Sequence, residues 1–188
     1  MIDTFYPNLS KLPSIDDNLS IKNKYALFFE TVVKDSAYLV AKWQAAGFVH
    51  GVLNTENVLI NGQSLHLGPY AFLDVYDPSF APSLTDYEKR YSFESQPDIM
   101  YQNLCSLGKT LTNFFVSKKT QPSLLKEWQQ SLNLQPISSI VLTSNGSQKI
   151  SIDYLSISDM IYRHIMSSFY NLFLGFFIEE MGKVTLDL

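Results

Sequence analysis

The chain has one cysteine, Cys105, among 188 residues. An internal disulfide framework and a cysteine-cage zinc site are therefore excluded. Charge is sparse, at 17% of residues, and 14 Lys+Arg against 18 Asp+Glu leave a net charge of −4. A pI near 5.3 lacks the positive footprint that displaces counterions from a duplex, so no nucleic-acid partner is expected. The start, with Pro7 and Pro13, has neither the basic nor the apolar region of a secretory leader. No apolar run reaches the roughly 20 residues that cross a bilayer. The most apolar stretch, Ile165 to Ile178, is flanked by Arg163 and Glu179 and is expected to be a buried core helix. No membrane partner and a cytoplasmic address are expected. What the chain does have is 46% hydrophobic residues, including 11 Tyr and 13 Phe, which marks a folded chain of single-domain length.

Along the chain, Pro7, Pro13 and the Asp16-Asp17-Asn18 cluster predict irregular backbone over residues 1–22. A helix is expected from about Asn23 to Ala46. Tyr25, Phe28, Phe29, Val32, Leu39, Val40 and Trp43 recur on one face of it, and Gly47 stands where a left-handed cap would end it. Val58–Ile60 and Gln63–His66 read as two short strands joined by a two-residue Asn61-Gly62 turn with positive φ at both positions. Residues 74–97 read as a long ordered loop. A second amphipathic helix, about Asp98 to Ser117, should turn Ile99, Leu104, Leu107, Leu111 and Phe115 inward. Beyond it, residues 118–188 should hold a short helix near 123–132, a hairpin at 137–155 around Asn145-Gly146, and a final helix capped by Ser158 and reaching Met181. The expected fold class is a mainly helical α+β domain.

Phe48 to Pro78 carries the chemistry. A helix, a polar loop ending in Asn57, a tight hairpin and the Gly68-Pro69 turn follow in the order of a protein-kinase catalytic loop and metal-binding segment. In that layout a carboxylate in the loop sits by the incoming nucleophile. An Asn and a second acidic residue beyond the hairpin hold the metal, and the hairpin would bring positions 57 and 66 together.

The segment resembles the selenoprotein O (SelO) family of kinase-like protein adenylyltransferases. The resemblance rests on Gly47-Phe48, His50-Gly51-Val52, Asn54-Thr55, Asn57, Gly68-Pro69, Phe72-Leu73-Asp74 and Tyr76-Asp77-Pro78. Arg90-Tyr91-Ser92-Phe93, Gln96-Pro97, Asn103-Leu104 and the upstream Leu39–Ala45 helix add to it. It covers about residues 25–115 only, within a core at 23–117. The resemblance implies a fold like the C-terminal lobe of a protein kinase. It also implies transfer of AMP from ATP to protein Ser, Thr or Tyr hydroxyls, with Mg²⁺ or Mn²⁺ as the ion. Glu56 would then be the catalytic carboxylate, and Asn57 with position 66, here His66, the metal ligands.

Two residues depart from the family pattern. Glu56 replaces an Asp and extends the carboxylate by one methylene, and a shift of about 1 Å can cost on the order of 100-fold in rate. His66 replaces a metal-binding Asp, and imidazole is a poor partner for a hard cation. The residues before the helix contain no glycine-rich loop, all eight glycines lying at or after Gly47, so the nucleotide-gripping N-terminal lobe is expected to be absent. A shortened, degenerate adenylyltransferase is the expectation. The alternative is a non-catalytic module that binds a protein partner through the apolar face such a loss would expose; oligomeric state is left open. For the single residues, His50 reads as a loop anchor, and Asp74 and Asp77 as loop-fixing acceptors or site residues. Arg90 reads as solvated surface, Cys105 as a core thiol, His164 as a buried or border histidine, and Phe169, Tyr170, Phe173, Phe176 and Phe177 as core or a partner surface.

Overall fold

A computed structural model describes residues 2–10, 24–64, 68–115, 138–142, 148–152 and 154–186. The architecture is mixed α+β and mainly helical. Two single-turn helices, α1 (Ile2–Phe5) and α2 (Pro7–Ser10), occupy the stretch expected to be irregular. Pro7 opens α2 because its missing N–H falls where a helix has no partner for one. The long helix α3 spans Lys24–Ala45, and Phe28, Phe29, Val32, Val33, Ala37, Val40 and Ala41 are buried along it. It ends as expected: Gly47 takes φ +66°, and its N–H donates to the Gln44 carbonyl at 3.3 Å.

Among the described residues, three two-stranded antiparallel pairs follow. β1 (Phe48–Val49) pairs with β4 (Ala71–Phe72), β2 (Val58–Leu59) with β3 (Gln63–Ser64), and β5 (Ser138–Leu142) with β6 (Gln148–Ile152). The β2–β3 hairpin differs from the expected turn. Its loop is Ile60-Asn61-Gly62, the Gly62 N–H donates to the Leu59 carbonyl at 3.3 Å, and only Gly62 has positive φ, +69°. This is the three-residue hairpin, a type I turn closed by a left-handed glycine, which places no left-handed demand on Asn61. A Cβ on Gly62 would stand 3.0 Å from the Asp35 Cβ and 3.3 Å from the Asp35 carbonyl oxygen, so the glycine also lets the hairpin lie against α3. The β1–β4 pair has no counterpart in the sequence reading, since two-residue strands are too short to show alternation.

Residues 74–95 are an ordered loop without regular elements. Its ends are zipped together by Phe93 N–H to the Phe80 carbonyl at 2.9 Å and Glu94 N–H to the Pro78 carbonyl at 3.0 Å. Inside it, the Asp86 carboxylate accepts from the Arg90 and Tyr91 N–H groups at 3.0 and 2.8 Å. Helix α4 spans Gln96–Leu111 and continues as a 3₁₀ turn, Thr112–Phe114. The expected helix near 123–132 lies outside the described residues. In place of one final helix there are two, α5 (Tyr154–Ser167) and α6 (Phe169–Leu186). They part at Ser168, whose hydroxyl donates to the Ile165 carbonyl at 2.7 Å and competes with the helical ladder. Ser158 therefore sits inside α5 and is not its cap. The apolar stretch from Ile165 is only half core: Ile165, Met166 and Phe169 are buried, whereas Leu174 and Ile178 are exposed. Among the described residues no helix is long and apolar enough to cross a membrane.

The chain divides into two compact units. In the unit of Met1–Phe29 and Gly108–His164, Phe29 stacks on Phe115 and Tyr162 at 5.7 and 6.1 Å between ring centroids. Gly108 makes room for both rings, since a Cβ there would lie 2.5 Å from atoms of Phe29 and Tyr162. The unit of Glu30–Leu107 and Ile165–Leu188 holds the loop and hairpin of interest. Its buried apolar residues come from α3, β1, Leu53, Phe93, α4 and the α5–α6 junction. There Tyr101 and Tyr170 stack at 5.1 Å, and the Tyr170 hydroxyl donates to Asp98 at 2.7 Å. Burial, then that hydrogen bond and the Asp98 charge, push the Tyr170 phenol well above the ordinary value near 10.

Two tests follow from this packing. Gly51 has φ +81°, and a Cβ there would lie 2.7 Å from the Pro69 carbonyl oxygen and 2.9 Å from Pro82 Cγ. Gly51→Ala should cost more than about 2 kcal/mol, whereas Gly175→Ala, with nothing within 4 Å, should stabilise by roughly 0.5–1 kcal/mol; urea denaturation reads both. The raised Tyr170 pKa also sets an alkaline limit. Its contribution is complete below the unfolded-state value and is lost as pH rises through the folded one. The wild-type denaturation midpoint should thus fall above about pH 10, and Tyr170→Phe should fall less steeply; parallel curves would contradict the bond.

Candidate functional site

The site is built on the loop that leaves β1. In a strand, polar groups of successive residues point to opposite edges. The Gly47 carbonyl accepts from Leu73 N–H at 2.9 Å, so the polar groups of Phe48 and His50 face the edge away from β4. The Gln96 side chain meets them there. Its Oε1 accepts from His50 N–H at 2.9 Å and its Nε2 donates to the Phe48 carbonyl at 2.9 Å. Further along, Asn103 Nδ2 donates to the Leu53 carbonyl at 3.1 Å.

His50 is fully buried, and its hydrogen bonds define its role. Ser64 Oγ donates its one proton to the Asn57 carbonyl at 2.7 Å, so the 2.7 Å contact between Ser64 Oγ and His50 Nε2 requires Nε2 to donate. Nδ1 is then the acceptor for Val52 N–H at 3.3 Å. The His–Ser pair is accordingly no nucleophile and base; the imidazole is a strut joining the loop to the hairpin, and the reading of His50 as a loop anchor holds.

The loop ends in a turn made by Asn54, whose Oδ1 accepts from both Glu56 N–H and Asn57 N–H at 3.1 Å. Asn57 Nδ2 donates to the Val52 carbonyl at 2.8 Å. That bond decides which end of the amide is which: Oδ1 is turned away from Val52 and has no hydrogen-bond partner among the described residues. Oxygen is the donor a hard cation selects. Glu56 is exposed, and its carboxylate likewise has no partner among the described residues. His66, the second expected ligand, lies outside the described residues, as do its neighbours Leu65 and Leu67. Among the described residues no group of three or more His, Cys, Asp or Glu could hold a metal. Asn57 thus meets the chemical requirement for one ligand, short of a complete protein-built site.

Of the other residues singled out, Asp77 is a loop-fixing acceptor, taking the Ser79 N–H and hydroxyl on Oδ1 at 2.9 Å. Asp74 and Arg90 are exposed, and Arg90 lies over the Tyr91 ring at 5.5 Å. Cys105 is half-buried. His164 is exposed, against the expectation of a buried or border position, because it falls on the outer side of α5. Gln96, Asn103, Ser64 and Asn54 carry the geometry of the site, yet composition and spacing assign none of them a role. A hydrogen bond spanning 46 residues leaves no local signal.

The family described as "Protein adenylyltransferase SelO" matches residues 1–172. The chain belongs to the SelO family. The match extends well beyond residues 25–115, on which the sequence resemblance rested. Among relatives, "Protein nucleotidyltransferase YdiU" of Rhodococcus jostii is 46% identical over 112 residues, 60% of this chain and 21% of that protein. The YdiU of Cronobacter sakazakii is 41% identical over 114 residues, 57% of this chain and 24% of the relative. "Protein adenylyltransferase SelO, mitochondrial" of Saccharomyces cerevisiae is 50% identical over 95 residues, 50% of this chain and 14% of the relative. The chain therefore spans a quarter or less of the length of these SelO and YdiU proteins.

The hydroxyl bridge is open to test. Ser64→Ala removes the hydroxyl that bridges the buried His50 imidazole and the Asn57 carbonyl and should cost about 1–3 kcal/mol in urea denaturation. No measurable change would mean that the bridge does not hold the hairpin.

Proposed function

We propose that the loop and hairpin form the phosphate- and metal-facing part of a SelO-type protein adenylyltransferase, in a degenerate form. The kinase-like reading of the architecture belongs to the same proposal. In the reaction, the oxygen of a protein Ser, Thr or Tyr hydroxyl attacks the α-phosphorus of ATP. The bond from that phosphorus to the bridging oxygen breaks, pyrophosphate leaves, and the hydroxyl proton passes to the Glu56 carboxylate. Asn57 Oδ1 would hold a Mg²⁺ or Mn²⁺, which when bound neutralises phosphate charge. His66 in place of an acidic ligand removes negative charge from such a centre, which is the reason for calling it degenerate.

The observation that carries this reading is the orientation of Asn57. Its amide nitrogen is committed to Val52 and its oxygen has no partner among the described residues, in a chain whose family is named for adenylyl transfer. The test is calorimetry with a non-hydrolysable ATP analogue and Mn²⁺, followed by transfer of labelled AMP to protein. Micromolar binding that falls at least about 10-fold in Asn57→Ala, the loss of one charge-assisted contact, is the expected result. Equal binding by wild type and variant would remove Asn57 from the site.

A second reading, a non-catalytic binding module, is favoured by one further observation. Tyr70, Phe72, Val75, Tyr76, Leu84 and Tyr87 are 49–92% exposed within a single stretch of chain, a density of exposed apolar side chains that partner surfaces show. Absence of nucleotide binding in the same calorimetry would favour it.

A further inference from the structure

We propose that Gln96 is a positioning residue of the candidate site, setting the register of the loop that carries Glu56 and Asn57. This inference rests on the adenylyltransferase reading for its functional consequence, though not for its structural one. Gln96 is 1% exposed, and a buried amide costs free energy unless both of its ends are paired. Both ends are spent on the backbone of one short segment: Oε1 on His50 N–H and Nε2 on the Phe48 carbonyl. A carboxamide offers the same donor and acceptor as a peptide group. Gln96 therefore serves β1 as a one-residue edge strand, opposite the edge that β4 occupies.

The consequence propagates through hydrogen bonds. Holding His50 N–H fixes the backbone from which the imidazole projects. The imidazole Nδ1 receives Val52 N–H, and its Nε2 reaches Ser64 Oγ, which in turn holds the Asn57 carbonyl. The Val52 carbonyl accepts from the Asn57 side chain, so the orientation of Asn57 Oδ1 depends on where Val52 stands. Gln96 touches neither Glu56 nor Asn57 in any of these bonds and acts on them only through His50, Val52 and Ser64. Asn103, bound to the Leu53 carbonyl, is a second and separate tether from the same helix.

The test exploits the donor–acceptor pattern. Gln96→Met keeps length and loses both bonds. Gln96→Glu keeps the acceptor for His50 N–H, but when ionised it sets an oxygen against the Phe48 carbonyl. When protonated it regains the missing donor and mimics glutamine. Amide hydrogen exchange on the full chain, with ¹⁵N shifts of the His50 ring, is the primary readout. In Gln96→Met the His50 and Asn57 amides should exchange at least about 10-fold faster than wild type through local opening, at every pH. The His50 ring should lose its pure Nε2–H state. In Gln96→Glu, protection should be wild-type at acidic pH and fall as the carboxyl ionises. That pH dependence is one that a merely space-filling residue would not produce.

Should Gln96→Met fail to fold, the pH profile of Gln96→Glu still decides. Unchanged exchange at His50 and Asn57, or a uniform rise at all amides without pH dependence in Gln96→Glu, would overturn the proposal. Labelled-AMP transfer separates it from the reading on which it rests. If wild type transfers AMP, Gln96→Met should lower kcat at least about 10-fold, as loop misplacement does, with KM for ATP little changed; an unchanged kcat would overturn the functional part. If wild type transfers none, the adenylyltransferase reading fails, and the exchange data alone decide whether Gln96 holds the loop.

Discussion

A two-residue strand cannot satisfy its own backbone, and the site depends on how this one is completed. Among the described residues β1 has one strand partner, β4, and its other edge presents the Phe48 carbonyl and the His50 N–H to the interior. An unpaired buried polar group costs about 1–3 kcal/mol, so the edge must be closed. The Gln96 carboxamide closes it, and with that bond formed His50 is held where it reaches both the loop and the hairpin. Much of the candidate site is thus a hydrogen-bonded polar network in which nearly every named atom has a partner. Among the described residues Asn57 Oδ1 and the Glu56 carboxylate are the exceptions.

Close approach is the second constraint, and around the loop and hairpin glycine meets it twice. Gly51 passes between Pro69 and Pro82 at a distance that admits no Cβ, and Gly62 lets the hairpin turn lie against Asp35 of α3. Both also need left-handed backbone, where a side chain is strained. Space and torsion make the same demand at each position. The loop is therefore crowded at Gly51 and held by Gln96 at Phe48 and His50 and by Asn103 at Leu53. Rigid placement of this kind is what chemistry requires of groups that must meet a substrate to within a fraction of an ångström.

Family membership and local geometry bear on function at different levels. Membership links the chain to nucleotidyl transfer, while it spans a quarter or less of the relatives named. Geometry adds a reason why particular atoms suit that chemistry: an amide oxygen oriented by its own nitrogen, next to an exposed carboxylate. The two substitutions, Glu56 and His66, act on different properties. The first changes reach and keeps charge; the second changes both charge and donor type. On the proposed adenylyltransferase reading, a chain with these residues retains the scaffold of the loop while its affinity for a hard cation is weakened.

Local pattern determined the long amphipathic helices, the Gly47 cap and the two hairpins, because each is written in spacings of a few residues. It placed α3 within one residue at either end, and it found the loop and hairpin that bear Asn57. It misjudged the Asn61-Gly62 turn, since the same dipeptide serves two-residue and three-residue loops, and it joined α5 to α6 across Ser168 because a backbone-bonding hydroxyl barely disturbs apolar periodicity. Only the tertiary structure revealed the β1–β4 pair, the half-exposed face of α6 and the network from Gln96 through His50 to Asn57. Those features join residues far apart in the chain, where no period exists to read. The residue types at the site belong to the sequence; which end of the Asn57 amide is committed to Val52 was settled by packing.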